Sequence, residues 1–479
     1  MTRNRRFLLI IALVVVVVAV AGVTVARAFG GADLPTMTPA QLLAKVAEQA
    51  PKTTALSGEY AFTNNILGTD TGPLGSLAGL SVPFLAPQGS GKVAVADGKA
   101  NVTLVGGAST MQVVHNGTTL WVYSSSTNTA TEYTLPAHTS TDASANTTTT
   151  TAVPTDPTTA IEHFLAKLAP NATVAITGQQ EVVGQAAYTL VLTPTAPNTV
   201  LGSVTAAIDG KTFVPLSIQV SAKGNATPVL SLGFTKITYA APAASAFDFT
   251  PPAGATVNKQ DLSSKLPAAG GSLPFGSGSD SATGTAGTEK PAPLTLAQAE
   301  AKAGFHVLSP TTADPAHPFG GAYVVNIPTD LASKMAAGSA SSSTTSGTGT
   351  STSSPDTTGL PAGLQGLGQG LSTFAQGFVG ELKGPIVVQQ YGKGFGTVML
   401  AQAALNSTTG SSSLFGGTGG TNPLTMLPLF KSTSVNGHEA LEMATPLGGF
   451  VMWQQDGSLQ VAAGMVSQAD LANFAAGLQ

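Results

Sequence analysis

Six histidines, His115, His138, His163, His306, His317 and His438, are the side chains of this 479-residue chain best suited to proton transfer or metal binding. None stands in a His-x-x-x-His or His-Glu-x-x-His spacing, and with no cysteine present no thiolate can join them. Glu439 and Glu442 are close in sequence, but three residues apart on a strand they face opposite sides and cannot share acid–base work. Gly392-Lys-Gly-Phe-Gly396 has the glycines of a phosphate loop without the Gly-Lys-Ser/Thr that completes one, and reads as a turn. Gly-Ser pairs fall in low-complexity tracts rather than at a strand-to-helix elbow. The sequence therefore gives no catalytic residue, metal site or cofactor, and what remains is binding or a scaffold role in the envelope.

Residues 7–26 form an uncharged apolar run of 20 residues, long enough to span a hydrocarbon core as a helix. Arg3, Arg5 and Arg6 precede it and only Arg27 follows closely, which places the following residues outside a membrane. The expectation is a single-pass signal anchor, residues 1–30. The alternative is a secretory signal cleaved near Ala28, after the small-x-small pattern of Ala26-Arg27-Ala28. Charged residues make up 9% of the chain, the net charge is −4, and no basic cluster lies beyond the N-terminus, which argues against nucleic-acid binding.

Composition divides the rest. A Gly/Ser/Pro-rich stretch, 259–293, reads as a linker between a domain at 36–258 and another at 294–479. The Ser/Thr/Gly tracts at 139–151 and 336–360 lack the apolar content to pack and read as inserts. In the first domain Thr38-Pro39-Ala40-Gln41 is an N-cap with a first-turn proline and a capping-box glutamine, followed by Leu42, Leu43 and Val46 at helical spacing. Strands are expected at 57–62, 92–96, 99–105, 111–115 and 120–123, with a type I′ hairpin at Asn116-Gly117, then a helix over 158–169. Five more follow at 179–183, 187–193, 204–209, 215–221 and 230–239, with Asp209-Gly210 as a turn. The sum is nine or ten antiparallel strands with helices on one side. The second domain opens with a capping box at Thr295 and Gln298. Its hairpin turns are at Asn436-Gly437 and Asp456-Gly457, and it closes with a helix after Ser467 carrying Leu471, Phe474, Ala475 and Leu478 on one face.

This ordered arrangement resembles the LolA-like superfamily of exported lipoprotein-sorting and MucB/RseB-like proteins over roughly residues 36–258. The stretches that carry the resemblance are Leu56-Ser-Gly-Glu-Tyr-Ala-Phe62, Glu181-Val-Val-Gly-Gln-Ala-Ala-Tyr-Thr-Leu-Val-Leu-Thr-Pro194, and the ending Phe247-Asp-Phe-Thr-Pro-Pro252. The second domain is similar to a C-terminal module of unknown function on membrane-anchored bacterial regulators. The resemblance implies an α+β chain: a curved antiparallel sheet with covering helices, then a smaller α+β domain. It also implies a cavity for acyl chains between sheet and helices. The candidates to line or cover such a cavity are Leu74, Leu77, Leu80, Val82, Phe84 and Leu85 in a Gly/Pro-punctuated segment, with Trp121, Tyr123, Phe213 and Leu216 on or beside strands. The 74–85 group reads equally as ordinary core, and for Trp121 and the other strand residues ordinary core is the favoured reading. The first expectation is a cell-membrane-anchored, extracytoplasmic binder of a lipid or lipid-modified protein. The second is an envelope sensor that binds an anti-sigma factor or another envelope protein.

Overall fold

The computed structural model describes residues 34–49, 55–66, 83, 86–135, 157–261, 293–312, 314–325, 382–405 and 430–479. The apolar run at 7–26, the segment holding Leu74 to Leu85 and the inserts at 139–151 and 336–360 lie outside them. Among the described residues no helix is long and apolar enough to cross a membrane. The chain is mostly sheet with a few helices and forms two compact units. The described residues of 1–65, 81–193 and 203–291 make the first; those of 66–80, 194–202 and 292–479 make the second.

The first unit is a twelve-stranded sheet. In chain order its strands are β1 (Ala55–Asn64), β2 (Gln88–Ala96), β3 (Lys99–Gly106), β4 (Ser109–Asn116), β5 (Thr119–Ser124) and β6 (Thr129–Thr134). After them come β7 (Ala172–Val182), β8 (Gln185–Pro194), β9 (Leu201–Asp209), β10 (Pro215–Ala222), β11 (Leu230–Thr238) and β12 (Thr256–Asp261). They lie side by side in the order β12-β6-β5-β4-β3-β2-β1-β11-β10-β9-β8-β7. Helices α1 (Pro39–Gln49) and α2 (Pro157–Leu168) pack on each other and on β7. The α1 cap is as the sequence indicates: the Gln41 side chain accepts from the Thr38 N–H and the Gln41 N–H donates to Thr38 Oγ1.

The strand registers sort side chains onto two faces. One face carries an apolar stripe, with Tyr60, Phe62, Val93, Val95, Leu104 and Leu232 buried together. It is crowded because aromatic rings lie over glycines on the next strand. A Cβ at Gly89 would sit 2.3 Å from the Phe62 ring, and one at Gly91 2.3 Å from the Tyr60 ring. The Tyr60 hydroxyl still reaches a partner, donating to the Thr103 carbonyl at 2.9 Å, and burial pushes its phenol pKa up. The opposite face receives α1, whose Leu42 is fully buried against Tyr188, Leu190 and Ile208. These two faces are called the apolar face and the helix face below.

β12 departs from the antiparallel pattern. After β11 the chain leaves the sheet, crosses the helix face through a short 3-10 turn (Ala244–Phe247), and runs parallel to β6 at the far edge. β6 and β12 were not among the expected strands. β12 has all six residues exposed, so no hydrophobic alternation marks it.

The second unit holds a seven-stranded antiparallel sheet: β13 (Phe319–Val325), β14 (Leu382–Tyr391), β15 (Val398–Leu405), β16 (Phe430–Val435), β17 (His438–Thr445), β18 (Gly448–Gln455) and β19 (Ser458–Gly464). Their order is β13-β14-β15-β19-β18-β17-β16. Helix α3 (Leu296–Ala303) has the full capping box at Thr295 and Gln298 and ends at Gly304 in the left-handed region. Helix α4 (Gln468–Ala476) is capped by Ser467 and buries Leu471, Phe474 and Ala475 against Trp453 and Leu400.

Candidate functional site

A cavity of about 370 Å³ opens on the helix face of the first unit. Two cross-strand rows form its floor. In the first, Lys236 of β11 pairs with Glu59 of β1, Glu59 with Lys92 of β2, and Lys92 with Thr103 of β3. In the second, Thr238 pairs with Ser57, Ser57 with Ala94, and Ala94 with Asn101. Directly opposed residues share a face, with Cβ atoms roughly 5 Å apart, so each row is a continuous strip of side chains. Pro242 and Ala246, from the segment that crosses the face, form the roof. Asn101 fixes that roof: its Nδ2 donates to the Ala246 carbonyl at 2.7 Å, while its Oδ1 accepts from Gln112 Nε2 at 3.1 Å. Lys92 Nζ stands 3.8 Å from Glu59 Oε1, and no ion pair among the described residues involves Lys236.

The same rows continue into β4 and β5, where Gln112 pairs with Tyr123 and Val114 with Trp121. The crossing segment covers them. Phe247 is buried, and the Phe249 ring centre lies 5.2 Å from Trp121 and 6.2 Å from Tyr123. The segment is held at its far end as well, where Asn128 Nδ2 donates to the Gly254 carbonyl and Lys259 pairs with Glu132 at 2.8 Å.

The four candidate binding residues within the described set are not brought to one place. Trp121 and Tyr123 stand on the cavity's face but beneath Phe249. Phe213, with φ +57°, packs with the α1 cluster. Leu216 is buried on the apolar face with Val182, Ala187 and Ala207. Leu74, Leu77, Leu80, Val82, Phe84 and Leu85 lie outside the described residues. Pro83 and Ala86, which are described, are buried at the apolar face: a Cβ on Gly106 would meet the Pro83 carbonyl at 2.0 Å. Sequence reasoning did not find the floor residues of the cavity. Their only local signal is the i, i+2 spacing of 57/59, 92/94, 101/103 and 236/238, and nothing in the chain says that these strands are neighbours.

Other polar clusters have structural partners. Asp209 is buried; its Oδ1 accepts from the N–H groups of Lys211 and Thr212, and its Oδ2 from the Tyr239 hydroxyl at 2.6 Å. Burial, and then that bond to a carboxylate, push the Tyr239 pKa up. This carboxylate organises the β9–β10 turn, which is longer than the Asp209-Gly210 hairpin read from sequence.

In the second unit His317 is buried between Asp314, 2.7 Å from Nδ1, and Asn198, whose Nδ2 is 2.9 Å from Nε2. An Nδ1–H tautomer donates to Asp314 and accepts from Asn198, so both ring nitrogens are engaged. The His317 ring also meets Phe474 edge-on at 5.9 Å. The bond from His317 holds the Asp314 carboxyl below its ordinary pKa. An acid–histidine pair so enclosed has no open nitrogen to offer a substrate. Among the described residues no group of three or more His, Asp or Glu is placed to hold a metal ion.

No protein-family model and no curated protein matches the chain. Solved structures do. The likeness read from the sequence is found among them. MucB in complex with MucA(peri) is 12% identical, with 92% of this chain and 97% of that chain covered and a TM-score of 0.35. The Pseudomonas aeruginosa MucA/MucB complex gives the same identity and score, with 98% of that chain covered. A LolA superfamily protein from Nitrosomonas europaea is 11% identical, with 45% of this chain and 99% of that one covered and a TM-score of 0.18. At these identities and scores, what those proteins bind is a property of theirs alone.

Proposed function

We propose that this chain is a non-catalytic binding module, tethered outside a membrane by residues 7–26, that holds a polar segment of a protein partner in the helix-face cavity. The lining of that cavity supports the reading. Seven of its twelve residues carry polar or charged side chains, among them Glu59, Lys92 and Lys236. Cavities that keep apolar guests are dry and lined by Leu, Ile and Phe, whereas this floor offers hydroxyls, an amide and charges to a guest with hydrogen-bonding groups. Its volume is near the low end of small-ligand pockets, roughly 300–1,000 Å³, which suits one or two side chains of an extended segment.

The acyl-chain reading has one observation in its favour. Pro83 and Ala86, the returning end of the β1–β2 connection, lie buried against the apolar face that carries the stripe of Tyr60, Phe62 and Val93. A lipid would then lie on that face, against the stripe of Tyr60, Phe62 and Val93.

A photo-reactive residue at Ser57 of the full chain, with a second at Val102 on the apolar face, separates the two readings. Irradiation in the native host followed by mass analysis should give one recurrent protein adduct from Ser57. A lipid adduct from Val102 with none from Ser57 would overturn the partner reading in favour of the lipid.

A further inference from the structure

We propose that the cavity selects a carboxylate: an acidic side chain of the partner segment, received by Lys236 and Lys92. This deepens the reading of the cavity as a partner site and rests on it. The row across β11, β1 and β2 reads positive, negative, positive, because Lys236 and Lys92 both directly oppose Glu59. One carboxylate between two ammonium groups leaves one positive charge over, and Glu59 is already within 3.8 Å of Lys92. The second row is uncharged, with Thr238, Ser57, Ala94 and Asn101, so nothing on the floor cancels the excess. Asn101 gives one Nδ2 hydrogen to the roof and its Oδ1 to Gln112, which leaves at most one amide N–H for the guest.

The excess of one favours a singly charged group. The lining holds no arginine for the bidentate grip that favours a dianionic phosphate. Glu59 becomes the specificity element. It competes with the guest for the same ammonium groups, weakening adventitious anions while a correctly placed carboxylate still reaches Lys236.

The test uses the full chain in mild detergent with ¹³C-methyl alanine, so that Ala94 on the floor and Ala246 in the roof report on the cavity. The probes are N-acetyl-glutamate amide, its glutamine counterpart and inorganic phosphate. The expected result is saturable movement of both methyl signals, with the glutamate probe binding about two- to fivefold tighter than the glutamine probe at low salt. Lys236→Gln should abolish that preference and Glu59→Gln should widen it; both side chains are exposed, so neither change disturbs the core. Raising the salt should shrink the preference in the wild type. Equal binding of the two amino-acid probes would overturn the carboxylate inference and leave the partner cavity standing. Tighter binding of phosphate would reassign the guest and overturn it too. No movement of Ala94 or Ala246 with any probe would overturn both.

Discussion

Gln389 and Gln402 are buried side chains that converge on one backbone residue, Leu308. The N–H of Leu308 donates to Gln402 Oε1 at 2.9 Å, and its carbonyl accepts from Gln402 Nε2 at 2.7 Å and from Gln389 Nε2 at 3.0 Å. A strand-like segment can cross a sheet without joining its ladder only if its backbone groups find such partners. Gln402→Leu keeps the volume but leaves the buried Leu308 N–H unpaired, and should cost the second unit about 1–3 kcal/mol. Trp453 reports this unit, since the chain has two tryptophans and the other, Trp121, lies in the first unit.

Asp314 gives a pH signature for the same unit. Its carboxyl titrates lower folded than unfolded because His317 donates to it. The stability it adds is full above the ordinary aspartate value of about 3.9 and is lost as pH falls through the depressed folded value. Thermal midpoints followed at Trp453 should therefore drop on the acid side of pH 4. In Asp314→Asn that drop should be shallower and the midpoint at neutral pH lower. An unchanged acid limb would show that the His317 bond contributes nothing to stability.

At the scale of the element, the first unit's close packing depends on rings laid over glycines. Gly91→Ala would put a methyl 2.1 Å from the Thr103 carbonyl and 2.3 Å from the Tyr60 ring, where the Tyr60 hydroxyl bond prevents an easy swing away. Overpacking of this kind should cost about 1–3 kcal/mol, read as a lower denaturation midpoint at Trp121. A neutral result would mean that the Tyr60 ring yields.

The elements themselves were legible wherever their determinants are local. The three helix caps at Thr38, Thr295 and Ser467 need only residues three apart, and all three form. Asn436-Gly437 and Asp456-Gly457 both take the positive φ pair of a type I′ turn. Asn116-Gly117 does not: only Gly117 has positive φ, and Asn116 pairs with Thr119 as the last residue of β4, so the turn moves one residue along. β6, β12 and β16 escaped because a strand with a polar or exposed set on both faces has no alternation to display, and β12 finds its partner far back in the chain. The cavity escaped for the same reason: its two rows exist only after β1 has settled between β2 and β11.

For the whole molecule, the site's register depends on non-local pairing, whereas the expected anchor depends only on 20 consecutive side chains. The two therefore fail independently and can be tested apart. Twelve residues, 27–38, separate the apolar run from α1, which allows at most about 40 Å between a membrane surface and the first unit. A chain anchored by that run would hold the cavity in a thin layer rather than a volume, where a guest presented by another membrane protein would meet it at high effective concentration. A cavity whose individual contacts are each worth a few tenths to one kcal/mol then suffices, because tethering supplies much of the association entropy. The expected outcome is that the native protein stays with membranes through high-salt and carbonate washes and begins near Thr2. Replacing 7–26 by a cleavable signal should leave the Ala94 and Ala246 probe response intact while abolishing the Ser57 crosslink to a membrane partner. Recovery of the native protein as a soluble form starting at Ala28 or Phe29 would end the tether argument. A Ser57 crosslink that survives loss of the run would show that the cavity's own contacts, not proximity, hold the partner.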